Sequence, residues 1–128
     1  MPAKSGLTVL FATLSLATPA ASTAAVADCV TTHFHFFGHQ TVTSSETLSS
    51  GDTCFHRLRN NAKKGNVFNH IEVVQNPSHG TLSVTNASAF QYRSSAGYRG
   101  ADSYAVRICM GSSTGPGCST VAFNANIH

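Results

Sequence analysis

The chain has 128 residues and few charges: eight Lys and Arg oppose five Asp and Glu, which gives a formal net charge of +3 at pH 7. Such a sparse, weakly positive set argues against a surface that wraps nucleic acid or binds strongly to a membrane. Five scattered acidic residues also argue against a calcium cage, which needs several carboxylates close together.

The beginning of the chain predicts a secretory signal peptide. Lys4 precedes an apolar stretch from Leu7 to Leu16, and small residues then lead to an A-x-A cleavage site at residues 25–27. The apolar stretch is too short to cross about 30 Å of hydrocarbon, so it does not predict a membrane span. We therefore expect residues 1–27 to be removed and residues 28–128 to form one domain in a secreted or periplasmic location.

All four cysteines lie beyond that cleavage site, and an even number in an exported chain indicates two disulfides. The absence of a C-x-x-C pair disfavours a zinc site built from four thiolates. Cys109 and Cys118 fall on outward positions of two predicted strands that a hairpin loop can join, so a cross-strand disulfide fits them. The remaining pair, Cys29 and Cys54, would join the first two predicted strands and stabilise the domain by about 2–4 kcal/mol.

Hydrophobic patterning in the mature region is typical of an all-β domain. No 3.6-residue apolar period is sustained, and Gly, Asn or Pro interrupts the sequence about every 8 to 12 residues. In the last two predicted strands, apolar residues alternate with polar ones, so each strand presents one face to a core. The predicted strands, which suggest a sandwich, are Val30–Phe37, Thr53–Arg59, Val67–Val74, Gly80–Thr85, Ala89–Arg93, Ser103–Cys109 and Ser119–Ile127, with additional pairing near Gln40–Leu48.

Two motifs at a characteristic separation mark the second half of the domain. NPSHGTLSV begins at Asn76, and FQYRSSAGYRGADSYAVRIC and STVAFNANI follow it, the last ending at Ile127. This pattern resembles the P-x-H-G-T and G-Y-x-G-x-D-x-F/Y signals of bacterial Ig-like and cadherin-like domains in surface and adhesion proteins. The resemblance implies an Ig-like antiparallel β-sandwich of about seven strands, which acts as a binding or structural module for a protein or a surface glycan.

The motif residues also have physical roles that depend on no family. Proline and glycine favour a turn at the first motif, and the paired glycines of the second motif predict a tight connection before a strand that follows Asp102. Asp102 can accept hydrogen bonds from backbone amides, and Tyr104 is expected to cover the end of the sandwich much as a tyrosine corner does. We interpret the whole set as structural: Pro77, His79, Gly80, Gly97, Tyr98, Gly100, Asp102 and Tyr104.

A histidine-rich segment, THFHFFGHQ, offers the best candidate for metal chemistry. In an extended strand His33 and His35 project from one face about 7 Å apart, and His39 shares their parity unless Gly38 introduces a bulge. Imidazoles in this arrangement can chelate Cu(II) or Zn(II) weakly. The alternative is that these histidines are ordinary solvent-facing residues opposite the core-facing phenylalanines of the same strand.

The sequence carries no nucleophile elbow, H-E-x-x-H, P-loop or G-x-G-x-x-G motif. The cluster of Arg57, Arg59, Lys63 and Lys64 surrounds Asn and Gly residues, which favours a solvated loop tip over an anion-binding patch. We therefore expect a non-enzymatic binding or structural module that needs no cofactor. The alternatives are a periplasmic copper- or zinc-binding protein and, less favoured, a hydrolase whose catalytic residues assemble only in space.

Overall fold

The computed structural model describes residues 6, 15–20, 29–32, 39–60, 67–111 and 117–128. These ranges contain strands, turns and extended connections but no helix, and therefore none that could cross a membrane. The all-β prediction is confirmed. The strands are β1 (Val30–Thr31), β2 (Thr41–Leu48), β3 (Thr53–Arg57), β4 (Val67–Gln75), β5 (Gly80–Asn86), β6 (Ala89–Ser94), β7 (Gly100–Gly111) and β8 (Gly117–Ile127).

The strands form two sheets. One has five strands in the order β1-β2-β8-β7-β4, and the other has three in the order β3-β6-β5. Strands β2 and β8 run parallel, whereas every other described neighbour pair is antiparallel. The chain crosses from one sheet to the other between β2 and β3, β3 and β4, β4 and β5, and β6 and β7, and β8 lies in the middle of the larger sheet.

Alternation of apolar and polar residues explains why the two sheets pack face to face. In β8, Val121, Phe123, Ala125 and Ile127 are buried, as the sequence pattern predicted. Phe123 meets Phe90 of the smaller sheet edge to face, with ring centroids 5.7 Å apart. Such contacts between rings from opposite sheets form the core of the domain.

Two predicted strands differ most from those in the structure. The segment near Gln40–Leu48, expected only as additional pairing, is the full strand β2 and lies between β1 and β8. The predicted first strand Val30–Phe37 corresponds to β1, which has two described residues; the rest of that prediction falls outside the described residues. Strand β2 was underestimated because its alternation is carried by Ser44, Glu46 and Leu48, of which only one is apolar.

Both predicted disulfides are present. Cys109 and Cys118 are directly paired residues of β7 and β8. Cys29, just before β1, is bonded to Cys54 of β3, so this bond links an edge of the larger sheet to the smaller sheet. The second bond therefore restrains the two sheets relative to each other, whereas the first restrains one hairpin.

Candidate functional site

Asp102 joins the two sequence motifs through hydrogen bonds. Its Oδ1 accepts the backbone N–H of Ser78 at 3.0 Å and that of Ser103 at 2.9 Å. Its Oδ2 accepts the backbone N–H of His79 at 3.1 Å and the hydroxyl of Tyr92 at 2.7 Å. The predicted role of Asp102 as an acceptor for backbone amides is thus confirmed. Because the carboxylate is 7% exposed and fully used, it serves the structure and is not open to a ligand.

An aromatic stack closes the same junction on the outside. The rings of His79 and Tyr98 lie 3.8 Å apart and nearly parallel, and the Tyr98 hydroxyl donates to the carbonyl of Ala101. Gly80 packs so closely against β6 that a Cβ there would come 2.5 Å from both the Arg93 carbonyl oxygen and the Tyr92 ring. Gly97 has a φ of 85°, in the left-handed region that favours glycine. These residues fix the turn geometry.

Two expectations about this region are wrong. Strand β7 begins at Gly100, so Asp102 lies inside a strand and does not precede one. Tyr104 is the fifth residue of β7. It is fully buried in the core and does not cover an end of the sandwich. Its hydroxyl lies beside the His56 side chain, whereas a tyrosine corner bonds back to the backbone.

The structure reveals a buried polar cluster that the sequence analysis missed. Glu46 of β2 and His56 of β3 are 2% and 8% exposed. His56 donates from Nε2 to Glu46 Oε2 at 3.0 Å, and the Tyr104 hydroxyl lies 3.1 Å from the same nitrogen. The imidazole also stacks on Phe90, with centroids 4.6 Å apart. An acid, an imidazole and a phenol therefore meet, but inside the core.

A signal for this cluster exists in the sequence. Glu46 shares strand parity with Leu48, and His56 shares parity with Cys54, so each polar residue occupies an inward position. Glutamate is usually exposed and histidine is intermediate, so composition gives no reason to expect these two residues in the core. The parity of the strands was the more informative signal.

The two buried tyrosines resist ionisation. Burial raises the pKa of both Tyr92 and Tyr104 far above the ordinary value of about 10, with Asp102 adding to the effect at Tyr92 and the negative charge of Glu46 adding to it at Tyr104. The folded state therefore keeps two protons that an unfolded chain loses above about pH 10. The contribution of these two protons to the free energy of unfolding is fully present below about pH 10 and declines as the pH rises above it.

We expect alkaline unfolding with a steep dependence on pH. Above about pH 10 the free energy of unfolding should fall by about 1.4 kcal/mol per pH unit for each tyrosine, or about 2.7 kcal/mol for both. In a Tyr98→Phe variant the two remaining tyrosines are the buried ones. Phenolate absorbance should then appear together with the loss of circular dichroism. Absorbance that appears well before unfolding would contradict the burial of these hydroxyls.

The predicted metal-binding histidines do not form a described cluster. His33 and His35 lie outside the described residues, so copper or zinc binding by this segment stays a prediction. His39 is exposed, has a φ of 64°, and donates its backbone N–H to the Cys118 carbonyl. Lys63 and Lys64 also lie outside the described residues.

Among the residues that the structure describes, one large aromatic side chain is strongly exposed. Phe55 of β3 is 75% exposed, and the exposed Arg57 and Arg59 follow it. In the described part of the chain, β3 pairs only with β6, which leaves its other edge without a strand partner. An open edge beside an exposed aromatic residue suits recognition of an extended chain.

These features define a two-sheet, disulfide-linked β domain with a sealed polar cluster and an open strand edge. Comparison of the chain with protein-family models, with curated proteins and with solved structures finds no match.

Proposed function

We propose that this chain is a small exported Ig-like module that binds a partner and catalyses no reaction, after removal of residues 1–27 as a signal peptide. The repeated crossing of the chain between two sheets and the junction of the two motifs around Asp102 support the Ig-like assignment. Two disulfides support a secreted or periplasmic location, because such bonds persist in oxidising compartments.

The non-enzymatic part of the proposal rests on where the reactive side chains lie. Among the described residues, an acid, an imidazole and a phenol meet at Glu46, His56 and Tyr104, and all three are buried. His56 stacks on Phe90, and Tyr104 stacks on Phe123. Asp102 already accepts four hydrogen bonds. Because these atoms are buried in the described part of the domain, we infer that they support structure in preference to turnover.

The binding part rests on one observation, the exposure of Phe55 on the open edge of β3. Adding a strand to this edge would extend the smaller sheet, and Phe55 would supply an aromatic anchor of the kind that dominates protein interfaces. Arg57 and Arg59 would favour acidic side chains in the partner. We therefore assign the partner as a protein segment that binds in an extended conformation.

Site-specific crosslinking tests this assignment. The exported protein should begin at Asp28, as its intact mass should show. A photoreactive phenylalanine analogue at position 55 should give a discrete polypeptide adduct when this protein is illuminated on the cells that export it. The same analogue at Thr43, exposed on strand β2 of the other sheet, is the matched control and should give none. Unlabelled wild-type protein should compete for the adduct, whereas Phe55→Ser protein should not.

Three results would reject the proposal. Equal adducts at positions 43 and 55 would indicate nonspecific contact. A crosslink from position 55 to a glycan, with no polypeptide adduct, would assign a glycan ligand instead of a protein. Turnover of an ester, peptide or glycoside that is lost on mutation of a single Ser, His or Asp would establish an enzyme.

A further inference from the structure

The short turn between β5 and β6 matches a modification motif. Asn86 is the last residue of β5, Ala87 and Ser88 form the turn, and β6 begins at Ala89. The tripeptide fits the pattern N-x-S/T, in which the middle residue is not proline, and this pattern marks acceptors of N-linked glycans in secreted proteins. Asn86 and Ala87 are exposed, so the motif lies at the surface of the domain.

Two hydrogen bonds hold Ser88 against the side chain of Asn86. The backbone N–H of Ser88 donates to Asn86 Oδ1 at 2.9 Å, and its hydroxyl donates to the same oxygen at 3.1 Å. Within the described part of the chain, Asn86 Nδ2 donates no hydrogen bond. The side-chain nitrogen, the atom that would carry a glycan, is therefore not used by the fold.

We propose that Asn86 accepts an N-linked oligosaccharide from a lipid pyrophosphate donor during export of the chain. The proposal rests on the proposed export, because an acceptor must reach the compartment in which the transferase acts. It is independent of partner binding at Phe55, since β5 and β3 are the opposite edges of the smaller sheet.

The position of Asn86 suits a bulky, hydrated group. In the described part of the chain β5 pairs only with β6, so its other edge has no strand partner. Val84, two residues before Asn86 on the same strand, is 39% exposed. An open edge with an exposed apolar residue invites pairing with other chains, and a glycan at its end hinders such pairing. The modification therefore shields one edge of the smaller sheet and leaves β3 accessible.

The transfer is a substitution at the first carbon of the sugar chain. Asn86 Nδ2 forms a bond to that carbon, and the bond from the carbon to the phosphate oxygen of the donor breaks. The electron pair of the broken bond leaves with the lipid pyrophosphate, and one Nδ2 proton passes to a base of the transferase. The bonds that Ser88 donates to Oδ1 stabilise negative charge on that oxygen as Nδ2 gives up its proton.

The chain contains its own control for this motif. Asn76, Pro77 and Ser78 form the only other tripeptide of the sequence in which Ser or Thr lies two residues after Asn. Its middle residue is proline, which fixes its own φ and restricts the residue before it, so the motif is excluded. The backbone N–H of Ser78 donates to Asp102 and not to Asn76. Asn76 is exposed like Asn86, so exposure alone does not distinguish the two.

The test exports the chain through membranes that hold an oligosaccharyltransferase and its lipid-linked oligosaccharide, with transfer to a short N-A-S peptide as proof that both are active. The full chain is compared with residues 28–128 placed behind the signal peptide of a known secreted protein. Both exported products should gain the mass of one oligosaccharide. Peptide-N-glycosidase should remove it and leave an aspartate at position 86. Fragmentation of the wild-type glycopeptide should locate the sugar at Asn86, whether or not any variant is exported.

Substitutions within the two tripeptides give matched comparisons. Asn86→Gln and Ser88→Ala should each abolish the gain in mass, because the first removes the acceptor nitrogen and the second removes the hydroxyl. Ser88→Thr keeps a hydroxyl and should keep the glycan. Asn76→Gln, the control for Asn86→Gln, should leave the gain in mass unchanged.

The proposal is overturned if exported residues 28–128 carry no oligosaccharide while the short peptide is modified. It is also overturned if the gain in mass persists in Asn86→Gln or is lost in Asn76→Gln. A glycan on residues 28–128 together with failure of the full chain to be exported would reject the proposed signal peptide and would still establish Asn86 as an acceptor.

Discussion

Asp102→Ala should lower the free energy of unfolding by about 3–5 kcal/mol, because it leaves three backbone N–H groups and the buried Tyr92 hydroxyl without their acceptor. A domain of this size is stable by only about 5–15 kcal/mol, so the change should remove much of its stability. Urea unfolding followed by circular dichroism measures the effect.

Asp52→Ala is the matched control for Asp102→Ala. Asp52 forms its described hydrogen bonds through backbone atoms, so loss of its carboxylate should change stability by less than about 0.5 kcal/mol. Asp102→Asn should give an intermediate loss, because one oxygen remains as an acceptor. Equal losses at positions 52 and 102 would mean that net charge, and not the hydrogen-bond network, determines the effect.

Tyr104→Ala should destabilise the domain by about 3–5 kcal/mol, since it empties a fully buried site at the centre of the core. The ring stacks on Tyr92 at 4.8 Å and on Phe123 at 4.9 Å, so both neighbours lose contacts. His56 also loses its contact with the hydroxyl. Thermal and urea unfolding should both report the loss.

Two further variants separate the contributions of Tyr104. Tyr104→Phe keeps the ring stacks and removes only the hydroxyl, and it should lower stability by about 0.5–1.5 kcal/mol. Phe55→Ala removes an aromatic ring at an exposed site and should be nearly neutral. A Tyr104→Ala effect no larger than that of Phe55→Ala would contradict the central position of Tyr104 in the core.

The features that depend on neighbouring residues were predictable from the sequence. Alternation identified the buried face of β8, and the same parity placed Cys109 and Cys118 side by side. Both disulfides followed from that one local pairing, because four cysteines leave a single remaining pair. The role of Asp102 was also predictable, since short acidic side chains commonly accept backbone amides at turns.

The features that depend on distant residues were not predictable in the same way. Nothing within residues 41–48 indicates parallel pairing with β8, because that register is set by contacts between the two ends of the domain. The meeting of Glu46 with His56 likewise arises from the packing of one sheet on the other. Parity shows that each side chain points inward, but only the packed sheets show that the two meet.

The position of β8 in the larger sheet governs how the domain can fold. Its register pairs Ser44 with Phe123, so the sheet joins two strands that are far apart in the sequence. The chain between β2 and β8 must close into a loop before the stabilising contacts between these strands can form. Closing so long a loop costs conformational entropy, so this pairing forms slowly compared with a hairpin. During synthesis or export from the N-terminus, β2 cannot pair with β8 until residues 117–127 have emerged. Until then an edge of β2 lacks its partner strand, and the inward residues Glu46 and Leu48 lack the neighbouring core residues of β8, so this interval is when the chain most needs protection from aggregation.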